Sequence, residues 1–204
     1  MTAVIVGAGD FVSLPTVAYD LIIAADGGYD ALRAIGVTPH AVVGDFDSVH
    51  VSDFSEQTEL FTFSQNKNES DMELAVAEAM RRGADVIDIC GGLGGRLDHT
   101  VANFALLANV SRTARHCRLI GNHEIVHAVT DGTLTFTPSE SCAFVSIFPA
   151  GERADGVSLR GLKYTLDNET LFNTSTRGLS NEPILGEQIH VSVQSGTLFV
   201  IEIL

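Results

Sequence analysis

The chain has 204 residues, 45% of them hydrophobic, with a formal net charge of −14 at pH 7. A chain of that length buries roughly 70% of its unfolded surface, enough for one large domain or two small ones. Twelve basic residues against 26 acids argue against nucleic acid or an anionic membrane as partner, because little is left to neutralise phosphates along a polymer.

Cys90, Cys117 and Cys142 are widely spaced and odd in number, which reads as reduced thiols of a cytoplasmic protein. The start, Met1-Thr2-Ala3-Val4-Ile5-Val6, lacks the basic residues and small-residue cleavage site of a signal peptide. No apolar run approaches the roughly 18 residues of a membrane span, so the expected location is cytoplasmic.

Apolar runs at residues 3–6 and 21–25 predict two buried strands. The first ends in Gly7-Ala8-Gly9-Asp10, which reads as a tight strand-to-helix turn because the dinucleotide fingerprint is absent. The second ends in Asp26-Gly27-Gly28, an acid followed by two residues that let a ligand come close to the backbone. A helix over 29–35 stops at Gly36, and Ala41-Val42-Val43 predicts a third strand.

That strand runs into Gly44-Asp45-Phe46-Asp47-Ser48. With a side-chain period of two, Asp45 and Asp47 point the same way, roughly 6–7 Å apart if extended. At about 6 Å and an effective dielectric of about 20 they repel by roughly 3 kcal/mol, which calls for a cation. Mg²⁺ suits one or two carboxylates completed by water and substrate phosphates.

A fourth strand over 59–63 leads to Lys67-Asn68-Glu69-Ser70-Asp71-Met72-Glu73. Ser70 with Glu73 has the spacing of a capping box, and Met72, Val76, Ala79 and Met80 give the stripe of a helix that stops near Gly83. Asp71 therefore belongs to the first helical turn. A fifth strand at 86–89 delivers Gly91-Gly92-Leu93-Gly94-Gly95-Arg96-Leu97-Asp98-His99. Four glycines in five positions suggest a backbone that must approach something, and Arg96 offers planar donors to phosphate. Leu97, Val101, Phe104, Ala105 and Ala108 form the apolar face expected of the following helix.

Asp26, Asp45, Asp47, Asp71 and the Arg96-Leu97-Asp98 loop all follow the carboxyl end of a predicted strand in alternating strand and helix units. In an open parallel sheet that edge is where ligands bind. After a strand at 117–120 the texture changes to short alternating runs at 125–129, 133–136, 143–148, 161–166, 188–193 and 197–203. Turn signals separate them at Asp131-Gly132, Pro149-Ala150-Gly151, Asp167-Asn168 and Ser195-Gly196. The pattern predicts an antiparallel sandwich or barrel, with Asn173 to Glu182 as a polar, solvated loop.

Asp26-Gly27-Gly28, Gly44 to Ser48, Ser70-Asp71 with Glu73, and Gly91 to His99 with Asn103, in that order, resemble the thiamine pyrophosphokinase family. Gly161-Leu162-Lys163-Tyr164 and Ser175 to Asn181 are also similar to it. The resemblance implies an N-terminal Rossmann-like α/β domain over 1–122 and a C-terminal antiparallel β-sandwich over 123–204. It further implies a homodimer with active sites between the first domain of one subunit and the second of the other, and Mg²⁺-dependent transfer of the β,γ-pyrophosphoryl group of ATP to the thiamine hydroxyl. Asp45, Asp47 and Asp71 would then hold metal or orient the hydroxyl. Asp26, Gly27, Gly28, Lys67, Arg96, Asp98 and His99 would serve ATP, and Tyr164, Ser175, Ser180 and Asn181 would meet thiamine. This chain departs from the family at Asn68 and Ser70, where relatives carry Asp and Thr, and at Tyr164, where they often carry Trp.

Two other readings start from the same residues. Asp45-Phe46-Asp47-Ser48-Val49 is similar to the start of haloacid-dehalogenase-type phosphatases, whose first Asp becomes phosphorylated. A nucleotide-binding sensor without turnover would use the same cleft.

Overall fold

The computed structural model describes residues 1–11, 13–45, 55–63 and 68–204. Asp47, with its neighbours Phe46 and Ser48, and Lys67 lie outside the described residues. The chain divides into two compact units, residues 1–103 with 119–122, and residues 104–118 with 123–204.

The first unit is a parallel sheet with helices. Its strands are β1 (Thr2–Val6), β2 (Leu21–Ala25), β3 (Ala41–Gly44), β4 (Glu59–Thr62) and β5 (Val86–Cys90), in the spatial order β4-β3-β2-β1-β5. Every pairing among them is parallel. Ala3, Val4, Ile5 and Val6 are all fully buried, as expected of a strand covered on both faces. Helix α1 (Gly28–Ala34) contributes Leu32 to a cluster with Val4, Val6, Ala24 and Val42. Helix α2 (Asp71–Arg81) buries Met72, Ala75, Val76 and Ala79, spacings that share one face of a helix.

The expected capping box is half present. Ser70 Oγ accepts the Glu73 amide at 3.1 Å and starts α2, so Asp71 occupies the first helical position. The Gly7 to Asp10 segment is not a strand-to-helix turn, since among the described residues no helix lies between β1 and β2. Helix α3 (Leu97–Val110) also departs from expectation. Leu97, Val101 and Ala105 are exposed, and the buried positions are Asn103, Leu107 and Val110. An asparagine can occupy that face because its Nδ2 donates to the Gly92 carbonyl at 2.7 Å, which removes the penalty of burying an amide.

The second unit is antiparallel. Strand β6 (His116–Ile120) is divided between the two units. β7 (Glu124–Thr130), β13 (Thr197–Ile203) and β9 (Phe144–Pro149) form one sheet segment, and β11 (Leu166–Phe172), β10 (Arg153–Arg160), β12 (Ile189–Ser192) and β8 (Thr133–Phe136) form a four-stranded sheet. One core joins them, with Val145, Ile147, Leu198 and Val200 from the first and Val157, Leu159, Leu171, Ile189 and Val191 from the second. Residues 161–166 are not the strand expected there but mainly the connection between β10 and β11. Asp167 and Asn168 lie inside β11 rather than in a turn. Asn168 takes a φ of 56° where the register slips, and its amide donates to Ser158 Oγ at 2.9 Å.

A buried carboxylate is satisfied within this unit. Glu202 Oε1 lies 2.7 Å from His127 Nε2, His127 Nδ1 lies 3.1 Å from His116 Nε2, and the Ser139 amide donates to Glu202 Oε2 at 3.0 Å. None of the three cysteines is joined in a disulfide. Burial pushes the Cys117 thiol up to about 12, and burial with the nearby Glu202 pushes Cys142 up to about 11, so both are protonated and unreactive at neutral pH. Among the described residues no helix is long and apolar enough to cross a membrane.

Candidate active site

In the first unit β1 is central, with β2 to β4 on one side and β5 on the other. The loops leaving β1 and β5 therefore part in opposite directions and leave a crevice at the carboxyl edge of the sheet. A cleft of about 760 Å³ occupies that position, lined by Gly7 to Asp10, Asp26, Glu69 to Met72, Gly91, Gly92, Gly94 to Arg96, Asp98, His99 and Asn103. That volume is in the usual range for small-molecule sites.

Its floor is made by two loops in direct backbone contact. Gly7 N donates to Cys90 O at 2.8 Å and Gly9 N to Gly91 O at 2.9 Å. A Cβ on Gly91, whose φ is +64°, would run into the Gly7 carbonyl, and a Cβ on Gly9 would lie 2.5 Å from Gly91 O. The close approach the glycines were expected to serve is thus, at these positions, an approach of the chain to itself. Gly28 follows the same rule, because its Cβ would meet the Val6 carbonyl.

Asp10, Asp26 and Asp71 stand around this floor. Asp26, directly after β2, holds a φ of 48° and donates its amide to Val43 O at 2.8 Å. Such a backbone costs energy for a residue other than glycine, and such strain clusters at ligand sites. Asp45 directly follows β3, and Asp71 opens α2. Asp26 and Asp71 line the cleft, whereas Asp45 is not among its lining residues. Asp10 also lines it, packed against Gly94. The sequence reading missed Asp10, although it too is an acid just after a strand, the signal that picked out the others.

Arg96 and Asp98 form a bidentate pair at the rim. Arg96 Nε donates to Asp98 Oδ1 at 3.1 Å and Nη2 to Oδ2 at 2.5 Å. The Arg96 hydrogen bond is the largest cause holding the Asp98 carboxyl below its ordinary value, and the same bond raises Arg96. Both side chains are exposed, so a phosphate can compete for the guanidinium. The His99 amide donates to Asp98 Oδ1 at 3.0 Å. Among the described residues, no group of three or more His, Cys, Asp or Glu side chains is placed to hold a metal ion.

The polar 173–182 segment of the second unit is not a free hairpin loop. Val145 and Asn181 exchange backbone hydrogen bonds, Ile147 N donates to Gly178 O at 2.9 Å, and Ser180 N donates to Ser146 Oγ at 3.0 Å. It lies along β9 as an added edge. Ser180 has a φ of 55°. Ser175 and Ser180 are exposed and Asn181 is buried. Tyr164, in the connection between β10 and β11, is 63% exposed.

A parallel α/β unit with an acid-rimmed, glycine-floored cleft at its carboxyl edge is the architecture of a protein that handles a phosphorylated small molecule. Residues 16–119 match the model of the thiamin pyrophosphokinase catalytic domain, and residues 133–198 match that of the thiamin pyrophosphokinase vitamin B1 binding domain. A thiamine pyrophosphokinase of Bacillus subtilis is 30% identical over 170 residues, covering 81% of this chain and 79% of the relative. The crystal structure of thiamine pyrophosphokinase from Bacillus subtilis superposes with a TM-score of 0.86 at 26% identity, covering 99% of both chains. That of the Geobacillus thermodenitrificans protein gives 0.86 at 28%, covering 100% of this chain and 98% of the other. The chain belongs to the thiamin pyrophosphokinase family.

Proposed function

We propose that the protein transfers the β,γ-pyrophosphoryl group of ATP to the hydroxyl of thiamine, giving thiamine diphosphate and AMP. The observation that carries this reading is the cleft, where Asp26, Asp71, Arg96, Asp98 and His99 surround a backbone floor at the carboxyl edge of the sheet in a chain of this family. The thiamine oxygen attacks the β-phosphorus, the bond from that phosphorus to the α-phosphate bridge breaks, and AMP leaves with the electron pair. The hydroxyl proton passes to a carboxylate, for which Asp71 is the candidate. Such transfers need in-line positioning and neutralisation of oxygen charge more than a protein nucleophile.

Arg96 serves the phosphates once it is released from Asp98. Asp26, Gly27, Gly28, Asp98 and His99 serve the nucleotide, and Lys67 belongs to the same set. Tyr164, Ser175, Ser180 and Asn181 serve thiamine. Asp45 and Asp71, with Asp47, are hard oxygen donors of the kind that hold Mg²⁺. Mg²⁺, if these residues hold it, would supply positive charge to offset that on the phosphate oxygens. We read residues 1–122 as a Rossmann-like domain and residues 123–204 as a β-sandwich, and the working protein as a cytoplasmic homodimer.

The purified protein, ATP, Mg²⁺ and thiamine are incubated and the products separated, with Asp71→Asn in parallel. Equal amounts of thiamine diphosphate and AMP, lowered at least 100-fold in the variant, are expected. Phosphate release from monoesters without AMP favours the phosphatase alternative, and ATP binding without product favours the sensor. Either result overturns the assignment.

A further inference from the structure

The second unit holds a cavity of its own. It has a volume of about 410 Å³ and lies where the hairpin turns after β7 and β12, the segment after β9 and the last turn of α3 meet. It shares no lining residue with the cleft of the first unit. Its charged lining residues are Arg112, Arg153 and Asp131, which makes it a cationic spot on a chain whose net charge is −14.

The two hairpin turns are tied to each other at its wall. Asp131 N donates to Gly196 O at 3.1 Å, and Gly196 N donates to Asp131 Oδ1 at 2.8 Å. One oxygen of the single lining acid is thereby committed to the protein. A row of hydroxyls runs inward from the same place. Ser111 Oγ donates to the Ala108 carbonyl at 2.9 Å, Thr130 Oγ1 lies 2.6 Å from Ser111 Oγ, and Thr197 Oγ1 lies 2.8 Å from Thr130 Oγ1. Three bonds use all three hydroxyl hydrogens, so each points toward the Ala108 carbonyl. Thr197, only 6% exposed, is left with an oxygen that accepts and has no hydrogen to give.

The carboxyl end of α3, where a helix is negative, is capped by the chain itself. Leu107 O accepts the Ser111 amide, Ala108 O accepts Ser111 Oγ, Asn109 O accepts the Arg112 amide, and Val110 O accepts the Thr113 and Ala114 amides. The donors around the cavity are less committed. The Arg112 guanidinium and the Ser195 hydroxyl have no partner among the described residues. Arg153 meets Asp155 through Nε at 3.0 Å, and a guanidinium has further N–H groups to offer.

We propose that this cavity is a second ligand site, which binds a small phosphomonoester that also carries a hydroxyl. A phosphomonoester is close to dianionic at neutral pH, and its oxygens suit two guanidiniums brought from different elements. The hydroxyl of the same molecule donates to Thr197 Oγ1, which a bare oxyanion has no hydrogen to satisfy. The volume is at the lower end of the range for small-molecule sites, which favours a sugar phosphate over a nucleoside triphosphate. The site does not depend on the transfer reaction.

Ribose 5-phosphate is the probe, followed through the amide resonances of isotopically labelled protein. Saturable shifts of Gly151 and Gly196 are expected, with a Kd of about 1 mM or tighter. Arg112→Met weakens binding about tenfold and leaves the KM for ATP unchanged. Methyl phosphate, which has no hydroxyl, binds the native protein more weakly than ribose 5-phosphate. Thr197→Val weakens ribose 5-phosphate about threefold and leaves methyl phosphate unaffected.

Shifts confined to Gly91, Gly94 and Gly95 put the probe in the cleft and overturn the proposal. An affinity that Arg112→Met leaves intact, or equal affinities of the native protein for the two probes, overturns it as well. Arg112 is exposed, so its variant and the comparison of probes decide the matter even where Thr197→Val does not fold.

Discussion

Replacing Glu78 by Gln tests how α2 is held in place while it presents Asp71 to the cleft. Glu78 receives Arg81 Nε and Nη2 at 2.7 and 2.8 Å and Arg82 Nε at 2.7 Å. Arg82 in turn reaches Glu59 of β4 at 3.0 and 3.2 Å, so the pair ties the end of the helix to the edge strand. The Arg81 hydrogen bonds are the largest cause that brings Glu78 from 4.5 to about 2, burial opposes them, and Arg82 adds to them. At 1.36 kcal/mol per pH unit that displacement is worth roughly 3 kcal/mol. Arg81 is 68% exposed and screened by solvent, which leaves about 2 kcal/mol. A carboxylate held below its unfolded value stabilises the fold above that value and loses the contribution as pH falls. The contribution is therefore complete above about pH 5 and disappears as pH falls toward 2. Urea unfolding of wild type and Glu78→Gln from pH 7 to 3 measures it. The variant is expected to be about 2 kcal/mol less stable at pH 7, with the gap narrowing below pH 5. A gap that stays constant across that range refutes the reasoning.

Gly91→Ala is expected to cost about 3 kcal/mol, the sum of a left-handed backbone and the collision with Gly7, and to raise the KM for ATP. Gly95→Ala keeps the backbone strain but meets nothing within 4 Å, so it costs only about 1 kcal/mol. The difference in urea midpoints isolates the contact between the loops, and equal losses would count against it. Arg96→Lys is expected to raise the KM for ATP about tenfold, because an ammonium cannot reproduce the planar two-point donor. An unchanged KM places the phosphates elsewhere.

Much of this was legible in the residue order. Ser70 three positions before Glu73 marked the start of α2 and placed Asp71 in its first turn, because a helix start depends on groups only a few residues apart. Continuous apolar runs marked β1, β2 and β3 because strands covered on both faces have no polar side to alternate with. The buried face of α3 was misread because Asn103 reads as polar until Gly92 is known to accept its amide. The 161–166 run was misread because Leu162 and Leu166 alternate like a strand while Gly161, with a φ of 75°, turns the chain.

The sequence by itself determined the parallel and antiparallel halves and the acids at the strand ends, since both follow from local periodicity and from where apolar runs stop. Only the tertiary structure decided that Gly7, Gly9 and Gly91 serve one another, that Asp10 joins the cleft, and that Asn181 reaches Tyr164. Those relations join residues between 17 and more than 80 positions apart. Hydrogen bonding and close packing act through space, and no local pattern in a chain records which distant backbone will supply the partner.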